Sequence, residues 1–201
     1  MTHRLLIALL AAAAASPALA GFVGPTDPSH FTVSALGTLI GASHVPGSAT
    51  FTSTQLTLMG ANAVSPSPAD QAPACQGGVY SVLGPCQEQA VISGAGLYSF
   101  HWAYTTADDG GPAGDLFGVI VDGSRTTLSD LGGALSQSGD YAVTAASSFG
   151  WFVNCTDCIG GAATAVITNF NVASVPEPGS LALVLTAVGG MGAAALRQRR
   201  A

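Results

Sequence analysis

The chain has 201 residues with no lysine, five arginines and eleven acids, for a formal net charge of −6 at pH 7. Four of those arginines lie near the two ends, so between residues 21 and 196 Arg125 stands alone against all eleven acids, a formal charge of minus ten. That balance excludes nucleic acid as a partner, since phosphate binding needs clustered Lys or Arg to release counterions, while apolar runs at 117–121 and 149–153 exclude a wholly disordered chain.

Residues 1–20 open with His3 and Arg4, continue as an apolar run over 5–15, and end in Ser16-Pro17-Ala18-Leu19-Ala20. Ala18 and Ala20 form the small-x-small pattern read by signal peptidase, and the cut is expected after Ala20. An alanine-rich helix ending at Pro17 would pack poorly in a core, so these residues are expected to be an export signal. The mature domain is then expected to span 21–174.

Across that domain, short β-forming runs at 31–40, 49–58, 79–83, 89–92, 97–105, 117–122, 141–145, 149–154 and 163–171 alternate with Gly, Pro, Ser and Asp. Helical periodicity is missing. The pattern predicts an all-β fold, an antiparallel sandwich of jelly-roll-like type, flanked by the signal helix and a C-terminal transmembrane helix. Pro66, Pro68 and Pro73 place 65–73 in a surface loop, because Pro cannot donate to a sheet ladder. Val121-Asp122-Gly123-Ser124 reads as a hairpin turn.

Four cysteines fall in the exported part: Cys75 and Cys86 around a Gly- and Pro-rich stretch, and Cys155 and Cys158 in a C-x-x-C. An oxidising compartment favours disulfides, with three pairings open and the local one, Cys75 with Cys86 and Cys155 with Cys158, preferred. Zinc is the rival. Cys155 and Cys158 have suitable spacing, but Cys75 and Cys86 are separated by ten residues where structural zinc favours two tight knuckles. Redox catalysis by the C-x-x-C lacks a thioredoxin-like βαβ setting.

Tyr98, Phe100, Trp102 and Tyr104 alternate along one predicted strand and share a face, which suits a core more than a sugar-stacking platform. Asp108, Asp109 and Asp115 cluster in a Gly- and Pro-rich loop. They are either solvated or a site for calcium, the one metal such oxygen ligands suit here, although EF-hand spacing is absent. Trp151 and Phe152 point to opposite faces of their strand, which makes Trp151 the candidate ligand contact. His30, His44 and His101 lie in no H-E-x-x-H or G-x-S-x-G setting, so no enzyme and no cofactor is expected. Asp108 with Glu88 is the only acid pair offered to a polysaccharide-cleaving alternative.

The tail reads Val175-Pro176-Glu177-Pro178-Gly179-Ser180, then apolar residues to Leu196, then Arg197-Gln198-Arg199-Arg200. A helix over 179–196 would be roughly 27 Å long, barely a hydrocarbon core, and its Ala and Gly content makes a weak anchor. The terminal arginines would stay cytoplasmic, which puts the domain across the membrane. Pro176 and Pro178 keep the junction extended and open to a protease.

Residues 175–201, with Pro176, Glu177 and Pro178 as the sorting motif, resemble the PEP-CTERM tail. That resemblance implies processing by an exosortase after signal peptidase, a transient stay in the inner membrane, and delivery to the cell surface or extracellular matrix. A broader resemblance to exported PEP-CTERM proteins with a jelly-roll-like domain runs through Phe100-His101-Trp102-Ala103-Tyr104, Asp108-Asp109, Phe117-Gly118, Leu128-Ser129-Asp130, Gln137-Ser138-Gly139 and Phe149-Gly150-Trp151-Phe152, ending near Val172. It implies no catalytic set. The resulting expectation is a non-catalytic surface or matrix protein with exopolysaccharide as its candidate partner, the alternative being a carbohydrate-binding module.

Overall fold

The computed structural model describes residues 20–39, 43–65, 75–76, 83–84, 86–108, 110–156, 158 and 160–173. The expected signal segment before Ala20, the proline-rich loop after Ser65, most of the run at 79–83 and the whole Pro176–Pro178 tail lie outside them. No helix among the described residues is long and apolar enough to cross a membrane.

Among the described residues, ten strands carry the fold: β1 Phe31–Leu36, β2 Ser48–Phe51, β3 Gln55–Met59, β4 Cys86–Ser93, β5 Gly96–Thr105, β6 Asp115–Val121, β7 Ser124–Thr127, β8 Ser136–Ala145, β9 Ser148–Cys155 and β10 Thr164–Ala173. They form two five-stranded sheets, ordered β1-β4-β9-β6-β7 and β8-β5-β10-β3-β2, with antiparallel neighbours throughout. The expected β-sandwich is present. Shorter pairings join Thr38–Leu39 to Cys75–Gln76 and Ser43–Val45 to Asn62–Ser65.

Period-two alternation explains β5, whose Tyr98, Phe100, Trp102 and Tyr104 are all buried while Leu97 and Thr105 are exposed. The stripe is core. Opposite it, Phe149 and Trp151 of β9 and Phe117 of β6 complete an aromatic layer, with Phe149 stacked on Tyr98 at 4.6 Å and Trp151 edge-on to Phe170 at 4.8 Å. Such pairs contribute about 0.5–1.5 kcal/mol each beyond the area they bury. Phe22, just ahead of β1, enters the same layer and stacks on Phe170 at 5.2 Å.

Two expectations need correction, and the expected hairpin turn at 121–124 is present but leads into a strand the β-forming runs left out. The run at 49–58 is two strands, since Thr52 turns the chain by accepting the Gln55 N–H on its hydroxyl at 3.1 Å. The polar strand β7 returns from the Asp122-Gly123 turn, where φ of 50° and 82° gives the two-residue loop that right-handed strand twist favours. Trp151 is fully buried, so it fills the core and contacts no ligand. Phe152 is also buried, on the opposite face of β9, because Gly118 lies directly across from it and a Cβ there would come within 2.7 Å of the ring.

Candidate functional site

Because the β5 aromatics point inward, Ser99, His101 and Ala103 point out of the second sheet. The register sets Ala142, Asp140 and Ser138 of β8 beside them, and Asn171, Thr168 and Val166 of β10 on the other side. Farther across the sheet the same face continues through Thr57 and Gln55 of β3, with Thr50 of β2 opposite Thr57. The face is hydroxyl- and amide-rich. Among the described residues it carries no Lys or Arg.

A bulge breaks this lattice where β10 passes β5. Ser99 pairs with Asn171 and His101 with Thr168, so Asn169 and Phe170 together oppose Phe100. The extra residue resets the alternation: Ala165 and Ile167 face inward below it, and Phe170 faces inward above it. Asn169 absorbs the change with φ of 53° and stays exposed. An open depression of about 400 Å³ lies here, lined by Ser99, Phe100, His101, Asp140, Tyr141, Ala142 and Asn169.

His101 Nδ1 stands 2.8 Å from Asp140 Oδ1, and the two side chains are 40% and 87% exposed. An exposed pair of this kind is worth about 0–1 kcal/mol, so it adds little to stability. It does hold the ring at the depression, whose mixed lining combines the aromatic residues Phe100 and Tyr141 with the polar residues Ser99, Asp140 and Asn169. Such a surface can hold neutral, hydroxyl-bearing ligands.

The expected acidic site lies elsewhere, at the end of the sandwich where β5 leaves and β6 begins. Asp108 is 5% exposed and Asp115 0%, so neither is the solvated loop acid the sequence suggested. The Thr106 hydroxyl donates to Asp115 Oδ2 at 2.7 Å and accepts the Asp108 N–H at 3.0 Å, while the Gly110 N–H donates to Asp108 Oδ1. The Tyr104 hydroxyl donates to the Asp115 carbonyl. Burial, reinforced by the Asp115 and Asp108 charges, pushes the Tyr104 phenol far up. Asp109 lies outside the described residues, so a three-acid calcium site is not assembled among those described.

Beside these acids, Cys86, Cys155 and Cys158 form one buried cluster with Ala61. Cys155 is bonded to Cys158, as the local pairing expects, and Cys86 is disulfide-bonded as well. The side chain of Cys75 lies outside the described residues. Glu88, two positions along β4, is 5% exposed on the inner face, and burial raises its carboxyl above the usual range. Glu88 and Asp108 sit on different elements, and neither lines the open depression. Sequence spacing gave no hint of the depression, whose signal is a bulge that only strand register reveals.

No family model matches the chain, and no curated protein is similar to it. Solved structures with some likeness include a carbohydrate-binding module of the β-sandwich superfamily, at 9% identity and a TM-score of 0.35, covering 79% of this chain and 62% of the other. This chain thus spans less than two thirds of that structure's length. Two more are the enzymatically active domain of bacteriophage CBA120 tailspike protein 4, at 16% identity, 74% and 20% coverage and a TM-score of 0.27, and the N-terminal cellulose-binding domain of Cellulomonas fimi β-1,4-glucanase C, at 14%, 72% and 90% and 0.23. At these scores the likeness carries no inference about ligand or activity.

Proposed function

We propose that this chain is an exported, non-catalytic surface or matrix protein, sorted through a PEP-CTERM-like tail, whose sandwich touches exopolysaccharide through the outer face of β8, β5 and β10. The observation that carries the glycan contact is the depression around His101, Asp140 and Asn169, set in a face of hydroxyls and amides with no cationic side chain among the described residues. A neutral polyhydroxylated chain matches it, because each sugar hydroxyl both donates and accepts. The two-ended sequence pattern supports the sorting route: Ala18 and Ala20 ahead of the domain, Pro176, Glu177 and Pro178 behind it.

A polysaccharide pull-down and glycan array on residues 21–174 tests the contact. Retention that falls severalfold in His101→Ala and Asn169→Ala is the expected result, and absence of any glycan binding would leave a purely structural role. Mass spectrometry of the protein recovered from cells tests the route independently: the expected product begins at Gly21 and lacks the terminal arginines. An intact tail lodged stably in the inner membrane would refute it.

A further inference from the structure

The cysteine corner brings together residues that lie far apart in sequence. Cys86 opens β4 and Cys155 closes β9, and the sheet register sets them directly opposite each other. The chain then turns back so that Cys158, at φ of 58°, rejoins them. All three Sγ atoms lie within 4.8 Å of one another, and the residues are 5%, 0% and 1% exposed. Strand pairing thus brings Cys86 to the C-x-x-C, supplying the proximity that a second tight knuckle would otherwise provide.

We propose that the reduced form of this corner is a zinc-binding site, with Cys86, Cys155 and Cys158 as thiolate ligands. Around tetrahedral zinc, with Zn–S near ~2.3 Å, sulfurs stand roughly 3.8 Å apart, so the Cys155–Cys158 bond must open before three sulfurs that already lie within 4.8 Å of one another can take that spacing. Soft thiolates select zinc over calcium or magnesium, and the three ligands leave a fourth position for water or a further thiolate. A phosphine reduces each disulfide by taking oxygen from water to become its oxide, while the sulfur pair gains two electrons and two protons and becomes two thiols. Zinc then forms three Zn–S bonds and releases the three thiol protons. Disulfide and metal forms exclude each other, so the redox state of the surroundings decides which one the corner holds. The proposal stands apart from the glycan reading and survives its failure.

The test uses the whole chain, reduced without oxygen by a water-soluble phosphine, equilibrated with Zn²⁺, desalted and analysed for metal by elemental mass spectrometry. The expected result is about one zinc per reduced chain and none on the oxidised chain. Co²⁺ in place of zinc should give the intense near-ultraviolet thiolate charge-transfer band and visible bands of a tetrahedral site. Cys158→Ser and Cys86→Ser should each weaken Co²⁺ binding by more than roughly tenfold, with tryptophan fluorescence reporting whether the variants fold. Should the variants unfold, the wild-type stoichiometry in the two redox states decides alone. A reduced chain that binds no zinc, that unfolds even with zinc present, or whose Co²⁺ spectrum lacks the sulfur band overturns the proposal.

Discussion

Tyr98 and Tyr104 lie on one face of β5, and their hydroxyls reach opposite ends of the sandwich. Tyr98 donates to the Gly94 carbonyl at 2.7 Å, beside an exposed carboxylate, Asp122, that accepts the N–H groups of Ala146, Ser147 and Ser148 and the Ser147 hydroxyl. Tyr104 donates to the Asp115 carbonyl in a dry corner that also holds Asp108, Thr106, Glu88 and the cysteines. The first end closes a hairpin with groups that water could also satisfy. At the second, Thr106, Asp108 and Asp115 are buried, so the hydrogen bonds among them carry more free energy and the loss of one leaves a stranded partner.

Substitutions that sample both ends and the layer between them put this difference to the test. Trp151→Ala, in the shared aromatic layer, should cost about 3–5 kcal/mol in chemical denaturation, with no dependence on which end is perturbed. A cost near zero would mean that the two sheets are not held by that layer. At the dry end, Thr106→Val removes the hydroxyl donor to Asp115 and should cost about 1.5–3 kcal/mol; a neutral outcome would erase the contrast between the ends.

Asp122→Ala at the wet end should lower the melting temperature by less than Thr106→Val does. Hydrogen bonds from the Ala146, Ser147 and Ser148 amides and the Ser147 hydroxyl hold the Asp122 carboxyl well below the ordinary range. Its stabilisation is therefore complete above the unfolded value, near pH 4, and fades as pH falls through the depressed folded value. The gap between wild type and variant should close in strong acid, and a gap that persists there would assign Asp122 a role other than charge.

Glu88→Gln should have the smallest effect, with the opposite sign. Burial raises the Glu88 carboxyl, so the ionised form costs stability, increasingly as pH rises from the ordinary carboxylate value through the folded one. The variant should melt slightly higher at neutral pH and match wild type in acid. A lower melting temperature at neutral pH would show that the Glu88 charge is held by a partner.

Much of the wet end could be read from the chain alone. Asp122-Gly123 announces its turn because few residues tolerate the positive φ that both positions adopt, and the β5 stripe announces a core by its period of two. Trp151 was misplaced by the same rule, since β9 lies in mid-sheet with both faces buried and alternation there no longer separates inside from out. At β10, alternation counted straight through Asn169 would put Phe170 on the wrong side. The sulfur corner depends on Cys86 and Cys155 meeting across two strands far apart in sequence, a register that spacing does not encode.

Gly21 has φ of 124°, and a side chain there would collide with the carbonyl oxygen of Ser53. Its N–H donates to Phe170, and the next residue, Phe22, occupies the aromatic layer. The fold thus begins through a doorway that admits only glycine, with a ring fastened just inside. A chain lacking both Gly21 and Phe22 would leave the doorway vacant and a hole in the interior, which makes this short segment a condition for a tightly closed molecule.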